Sequence, residues 1–94
     1  DFNNEVKTVY NKIRAFSPQP SAWFLLNNER IKIIKSSLVE GEFEVSVILN
    51  AKFHIGCKNG KICPEILQRE GRNPVQIEDF LRGFEFIVGT KINA

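Results

Sequence analysis

Residues 53–66 read FHIGCKNGKICPEI, and this stretch carries the strongest fold signal in the chain. Asn59-Gly60 predicts a two-residue hairpin turn, because both central positions of that turn need positive φ and these residues tolerate it. Pairing outward from the turn sets Lys58 opposite Lys61 and gives one face that is entirely apolar. A slip by one residue would mix the two faces, so the pattern itself specifies the register. The apolar face consists of Phe53, Ile55, Cys57, Ile62, Pro64 and Ile66.

We expect four of these residues, Phe53, Ile55, Ile62 and Ile66, to be buried in the core. The hairpin register also sends Cys57 and Cys63 to opposite faces of the ribbon, so the two thiols cannot form a disulfide with each other. The polar face carries His54, Lys58, Lys61 and Glu65.

Two short helices flank the predicted hairpin in the sequence. Residues 4–16 show apolar side chains at helical spacing, with Asn4 as the expected N-cap and Pro18 ending the helix. That stripe consists of Val6, Val9, Tyr10, Ile13 and Phe16. Residues 76–83 show the same spacing and end at Gly83, which is a favourable residue just past a helix.

The remaining apolar segments are typical of strands. We predict strands at residues 22–27, 30–36, 42–49 and 86–92, with a turn at Asn27-Asn28 between the first two. Residues 42–49 alternate most regularly, with Phe43 on the apolar face and Glu42 on the polar one. The chain of 94 residues is therefore predicted to be a single, mainly β domain with flanking short helices.

The charge balance is weak, but the charges are unevenly distributed. The formal net charge is only +2, while residues 7–14, 30–35 and 52–72 are each net basic and the acids bunch at Glu40, Glu42 and Glu44. A folded chain with this pattern presents one basic side and one acidic side. No apolar run approaches the length of a membrane helix, so we expect no membrane contact.

Cysteine usage and the first residues indicate where the chain functions. Two cysteines are too few for a disulfide scaffold, and with only one histidine they are too few for a zinc site. The polar first ten residues do not resemble a signal peptide. These features favour a reducing cytoplasm. Separately, we expect a monomer. The chain begins with Asp1 and contains no Met, so we expect a larger parent protein.

The sequence offers no active site. His54 is the only histidine, and its predicted position opposite Glu65 is better explained by a solvated cross-strand contact than by an acid–base pair. The three bunched glutamates have no evident partner cation and are interpreted as a solvated face. Phosphate-binding glycine loops are absent. We therefore predict that the chain itself is not catalytic and holds no cofactor or metal.

Three strings, taken together, resemble one family. Residues 13–23 read IRAFSPQPSAW and resemble the segment that opens the C-terminal domain of methionyl-tRNA formyltransferases. Residues 30–33, RIKI, resemble the strand that follows it in that family. Residues 56–83 contain Leu67-Gln68, Gly71-Arg72 and DFLRG in the same order as the family's C-terminal part. The order and spacing agree from about residue 4 to residue 92, which is nearly the whole chain.

The resemblance implies a fold, a parent activity and a partner. It implies an OB-like open β-barrel, and an absent N-terminal catalytic domain that transfers a formyl group from 10-formyltetrahydrofolate to initiator methionyl-tRNA. The family's catalytic Asn, His and Asp lie in that absent domain. The domain represented by this chain would hold the tRNA body. The alternatives are the C-terminal domain of a sugar-nucleotide formyltransferase and a domain that only buttresses its catalytic partner.

A basic barrel face suits contact with RNA phosphates. Arg14 matches the family segment, and a structural role beside the following turn is an equal alternative for it. Trp23 could stack a base, but a single Trp in an apolar strand is usually core, and we predict it to be core. The candidate tRNA contacts are Arg14, Arg30, Lys32, Lys58, Lys61, Arg72 and Arg82.

Overall fold

A computed structural model describes residues 2–15 and 23–92 of the chain. Phe16, Pro18 and Ala22, on which parts of the first helix and first strand were predicted, lie outside the described residues. The described elements follow in the order α1 (Val6–Arg14), β1 (Trp23–Leu26), β2 (Glu29–Glu40), β3 (Ile55–Cys57), β4 (Gly60–Arg69), β5 (Val75–Gln76) and α2 (Ile77–Gly83). None of the described helices is long and apolar enough to cross a membrane.

The five strands form one antiparallel sheet. Its order is β1-β2-β4-β3, and β5 pairs with β4 beyond the end of β3. The long strands β2 and β4 are the centre of the sheet, which curls into a half-barrel and remains open, since no described pairing joins β1 to β3. The prediction of a mainly β domain with flanking short helices is confirmed.

The turn between β1 and β2 forms as predicted at Asn27-Asn28. Their φ angles are 55° and 61°, the left-handed values that a two-residue hairpin of the type I′ class requires. Asn adopts this conformation more readily than most residues because its short polar side chain can bond locally. Leu26 therefore pairs with Glu29, and β2 returns alongside β1 without a bulge.

The β3–β4 hairpin also forms, but its register differs from the predicted one. Ile55 lies opposite Ile62 instead of Pro64. Only Asn59 has the positive φ of a turn residue, 66°, so the turn consists of Lys58 and Asn59 and the next residue already belongs to β4. Because the slip is by an even number of residues, the side chains of the paired residues 55–57 and 60–62 keep their predicted faces.

Gly60 is required for close packing and not for the turn. A Cβ atom at this position would lie 2.6 Å from the carbonyl oxygen of Val39 and 2.7 Å from Cγ1 of Val6. The start of β4 is therefore packed against both β2 and α1. The sequence signal Asn-Gly was correct for a hairpin, but its Gly has a different physical reason.

Along β4, the alternation of buried and exposed side chains is interrupted opposite Lys35 of β2. The pairing of β2 with β4 is irregular on both sides of Lys35, next to Pro64, which cannot donate a backbone hydrogen bond. Beyond this point Leu67 is fully buried, whereas Ile66 is only half-buried. The prediction that Ile66 is a core residue was therefore wrong, because a strict two-residue period does not survive the irregularity.

The predicted strands at residues 42–49 and 86–92 are loops joined by short bridges. Ser46 has φ of 61°, which ends any regular strand there. Val47 bridges to Lys91 and Ile48 bridges to Ile55, so the two loops cover the outer edge of β3. Residues 42–49 do alternate apolar and polar side chains, as predicted. Their neighbour β3 has only three residues, however, so the segment forms isolated bridges instead of a strand.

The helices cover the sheet with their predicted apolar side chains. Val6, Val9 and Ile13 of α1 are buried, but the N-cap is Glu5 and not Asn4, and no side chain caps the helix. Gly83 is the last residue of α2 and does not follow it.

Aromatic rings fill the space between the sheet, α2 and the C-terminal loop. Phe53 is at the centre of this cluster and is fully buried. Its ring centroid lies 5.8 Å from that of Phe24, 5.3 Å from Phe80 and 4.8 Å from Phe86. Such ring pairs add stability beyond the area they bury.

Candidate nucleic-acid interface

The outer face of β1 and β2 carries an aromatic–cationic layer. Trp23 pairs with Lys32, and Leu25 pairs with Arg30. The guanidinium carbon of Arg30 lies 4.2 Å from the centroid of the Trp23 ring. The stacked pair is therefore on the face of the sheet that points away from the core.

Trp23 is not a core residue, which corrects the sequence prediction. It is half-buried, while its neighbour Phe24 is fully buried. All four residues of β1 are apolar, so their composition does not reveal which side chains face inward. The turn at Asn27-Asn28 reveals the outward-facing side chains, because it sets Trp23 opposite Lys32, a charged residue.

A shallow cleft of about 210 Å³ continues this face toward the end of β4. The chain reverses at Gly71, whose φ is +74°. One carboxylate oxygen of Glu70 accepts a hydrogen bond of 3.1 Å from the backbone N–H of Arg30. The cleft is lined by Arg30, Lys32, Gln68, Arg69, Glu70 and Gly71.

Arg69 is held in an ion pair and contributes little free positive charge to the cleft. Its Nε and Nη2 atoms donate to the two oxygens of Glu29, both at 2.8 Å. The hydrogen bond from Arg69 lowers the pKa of Glu29, and the same bond raises the pKa of Arg69. The guanidinium also lies 4.9 Å from the ring centroid of Phe84, so this arginine fastens the end of β4 to the residues around α2.

Arg30 and Lys32 differ from Arg69 in being electrostatically unpaired. Among the acidic side chains in residues 2–15 and 23–92, none forms an ion pair within 4.0 Å of either cation. These two cations lie two residues apart on one face of β2, and both line the cleft. We call Arg30, Lys32 and Trp23 the outer-face group.

The hairpin-tip lysines are at the opposite end of the sheet. Lys58 and Lys61 flank the start of β4, so the length of that strand separates them from the outer-face group by roughly 25 Å. The Nζ atom of Lys61 lies 5.2 Å from the ring centroid of Phe43. The structure therefore divides the predicted basic residues between two ends and does not form one continuous basic side.

Acidic residues surround the hairpin tip. The side-chain amide of Asn59 donates to Glu5 at 2.5 Å, and Lys7 pairs with Glu40 at 3.6 Å. Glu40 itself is directly opposite the start of β4. The tip therefore carries two glutamates beside its lysines, although Lys58 and Lys61, like Arg30 and Lys32, form no ion pair within 4.0 Å among the described residues.

The other predicted cations are scattered. Arg72 is exposed in the loop after β4 and lines a second cleft of about 210 Å³ beside α2. Arg82 pairs with Asp79 one turn earlier in α2. Arg14, the last residue of α1, lies with its guanidinium carbon 5.8 Å from the Tyr10 ring centroid.

The residues tested for catalysis do not come together. His54 bonds to the side-chain amide of Asn50 at 3.1 Å, whereas Glu65 pairs with Lys35 at 3.8 Å. The predicted His54–Glu65 contact was therefore wrong, because the hairpin register is displaced. Both cysteines are free, and burial raises the pKa of the Cys57 thiol to about 12. In residues 2–15 and 23–92, no three His, Cys, Asp or Glu side chains are grouped to hold a metal.

We expect His54 to lower the stability of the domain at acid pH. Burial lowers the pKa of His54, and the nearby charges of Lys61 and Lys52 lower it further. The unfolded chain therefore takes up the proton first, so the free energy of unfolding falls as pH drops below the unfolded value of about 6.5. His54→Gln, whose side chain can still accept from Asn50, should lose less stability than wild type between about pH 7.5 and about pH 5.

Urea denaturation of both proteins at the two pH values measures this difference. Equal losses of stability in wild type and variant would show that His54 titrates alike in the folded and unfolded chains.

Comparison with known proteins identifies one family and one group of relatives. Residues 1–85 match the family described as "Formyl transferase, C-terminal domain". A methionyl-tRNA formyltransferase of Cereibacter sphaeroides is 36% identical over 91 residues, which cover 97% of this chain and 30% of that protein. The Rhizobium etli methionyl-tRNA formyltransferase is 35% identical over 97 residues, covering 99% of this chain and 31% of its own length.

A third methionyl-tRNA formyltransferase, from Ehrlichia chaffeensis, is 35% identical over 88 residues, which cover 89% of the chain and 28% of the relative. The chain therefore spans about 30% of the length of the curated relatives it matches.

Proposed function

Because the chain belongs to the formyl transferase C-terminal domain family, we propose that it is the tRNA-contacting domain of a methionyl-tRNA formyltransferase. In this proposal an N-terminal domain of the same parent protein carries the transfer of a formyl group from 10-formyltetrahydrofolate. The present domain holds initiator methionyl-tRNA against that catalytic domain and uses no cofactor of its own. A cytoplasmic location follows from this function, since tRNA is formylated where translation begins.

The observation that carries the tRNA contact is the pair of unpaired cations on the outer face of β2. Arg30 and Lys32 lie two residues apart on one strand, so both side chains point to the same side. Neither cation forms an ion pair with a described carboxylate: Glu29 is bound by Arg69, and Glu70, which also lines the cleft, accepts from the backbone N–H of Arg30. Binding through such contacts releases counterions and tolerates many sequences, which suits the body of a folded tRNA.

The hairpin tip is the weaker of the two basic regions. Lys58 and Lys61 lie close to Glu5 and Glu40, whose charges oppose the approach of a phosphate. We therefore assign most of the RNA affinity to the outer-face group.

Replacing both outer-face cations should weaken tRNA binding more than replacing both tip lysines. Arg30→Gln with Lys32→Gln should reduce the steepness of the log–log salt dependence by about 1.5, at ~0.7–0.9 per lost phosphate contact. All tRNAs should be affected about equally, because phosphates carry no sequence information. The measurement is a fluorescence-anisotropy titration at several salt concentrations.

The matched control is Lys58→Gln with Lys61→Gln, which removes the same charge from the other end of β4. A control that weakens binding as much as the outer-face variant would refute the assignment to Arg30 and Lys32. Absence of tRNA binding by the unmodified chain, even at low salt, would instead favour the buttress or sugar-nucleotide alternatives.

A further inference from the structure

The layer formed by Trp23 and Arg30 has a geometry that cations and phosphates alone do not explain. Arg30 is exposed, although its guanidinium lies 4.2 Å from the indole centroid of Trp23. One side of the guanidinium is therefore covered by the ring, and the exposed remainder faces solvent. The exposed guanidinium over the ring offers solvent a charged group that is itself planar.

The neighbours of this layer suit a flat ligand that carries a negative group. Leu25, which pairs with Arg30, is 50% exposed and provides an apolar edge beside the stack. Lys32 pairs with Trp23 and provides an unpaired cation on the other side. A nucleotide whose base is not in a helix has both required parts, a planar base and a phosphate within a few ångströms of it.

We propose that the Trp23–Arg30 layer stacks one unpaired base of the bound RNA, while Lys32 contacts an adjoining phosphate. Guanidinium planes and aromatic rings are the side-chain surfaces on which unpaired RNA bases stack. This inference rests on the proposed function, since it adds a base contact to the same outer-face group. It implies that part of the RNA affinity does not depend on salt. This part should be lost when the RNA strand carries no bases.

A comparison of two short RNA strands of equal length separates stacking from phosphate contact. One strand is single-stranded with all its bases, and the other is abasic, so the two carry the same phosphates. The 94-residue chain should bind the strand with bases about tenfold more tightly, as expected for one stacked base. The preference should persist at every salt concentration, because counterion release is the same for both strands.

Arg30→Lys is the decisive variant. It keeps the positive charge and the backbone N–H that bonds to Glu70, but it removes the planar surface. The variant should lose most of the preference for the strand with bases and keep the salt dependence of the wild type. Trp23→Leu, which removes the ring beneath the guanidinium, should also reduce the preference, whereas Lys12→Gln at an exposed position of α1, outside the candidate contacts, should leave it unchanged.

Three results would overturn the inference. Equal, salt-dependent binding of both strands by the wild type would leave the proposed function intact and exclude base stacking. A preference for bases that survives both Arg30→Lys and Trp23→Leu would place the stacking surface elsewhere. No binding of either strand or of tRNA at low salt would overturn the proposed function together with the stacking.

Discussion

Gly56→Ala should destabilise the domain severely. The added Cβ atom would lie 1.8 Å from the carbonyl oxygen of Glu44, and a backbone oxygen cannot move aside as a flexible side chain can. The loop that carries Glu44 is also tied to β3: Ser46 donates to the Gly56 carbonyl at 2.8 Å, and the Gly56 N–H donates to Val47 at 3.0 Å. Relieving the clash must therefore break these bonds, and we expect a loss of more than about 3 kcal/mol in the free energy of unfolding.

For a domain of this size such a loss is a large part of the total, which is typically about 0.05–0.15 kcal/mol per residue. Chemical denaturation followed by circular dichroism measures it. Gly83→Ala is the matched control, because no atom lies within 4 Å of its added Cβ. That control should be neutral or stabilising by up to about 1 kcal/mol, since Ala favours the helix. A Gly56→Ala protein as stable as this control would mean that residues 44–47 do not lie across β3.

Phe53→Ala should cost about 3–5 kcal/mol of stability, the usual cost of removing a buried aromatic ring. Phe53 is fully buried, and its ring contacts rings from β1, from α2 and from the C-terminal loop. Its backbone has a positive φ of 65°, a conformation that is unfavourable for a bulky residue. The packing of the ring therefore holds the chain in a strained turn, and alanine would keep the strain but lose the packing.

The control for Phe53 is a large apolar side chain at the surface. Ile87 is 77% exposed, so Ile87→Ala should change the free energy of unfolding by less than about 0.5 kcal/mol. Equilibrium urea unfolding of both variants gives the comparison. A loss below about 1 kcal/mol for Phe53→Ala would show that the aromatic cluster is not the centre of the core.

Much of the fold could be predicted from the sequence because its signals are local. The Asn27-Asn28 turn needs only two residues that tolerate positive φ, and the apolar stripe of α1 needs only helical spacing. The hairpin around Asn59 was predicted with its faces correct and its register displaced. Gly60 belongs to β4 and not to the turn, because Val6 and the backbone of Val39 leave no room for a Cβ atom there. These contacts are remote in sequence, so the hairpin sequence does not reveal them.

The segments that were predicted wrongly are those whose structure depends on pairing with a strand distant in sequence. Residues 42–49 alternate like a strand, but the positive φ of Ser46 interrupts the extended backbone, so the segment forms only isolated bridges, one of them between Ile48 and Ile55 of β3. Ile66 follows an apolar alternation that is interrupted beside Lys35. Neither interruption has a signature within the segment itself.

The two cations of the outer-face group were predicted from the sequence, but the position of Trp23 beside them was not. Arg30 and Lys32 were identified from their alternation with Ile31 and Ile33, which are buried. Trp23 was assigned to the core, although the two-residue turn that was also predicted sets it beside Lys32. Combining those two predictions would have placed the indole on the outer face.

The most direct test of the tRNA-contact proposal is the salt dependence of tRNA binding by the unmodified chain. If the outer-face group and its neighbours neutralise three to five phosphates, the log–log slope should be about −2 to −5 at ~0.7–0.9 per phosphate. An anisotropy titration of labelled initiator tRNA at several salt concentrations gives this slope. A slope in that range supports a domain that holds tRNA through its phosphates, and a binding constant that ignores salt, or no binding at low salt, contradicts it.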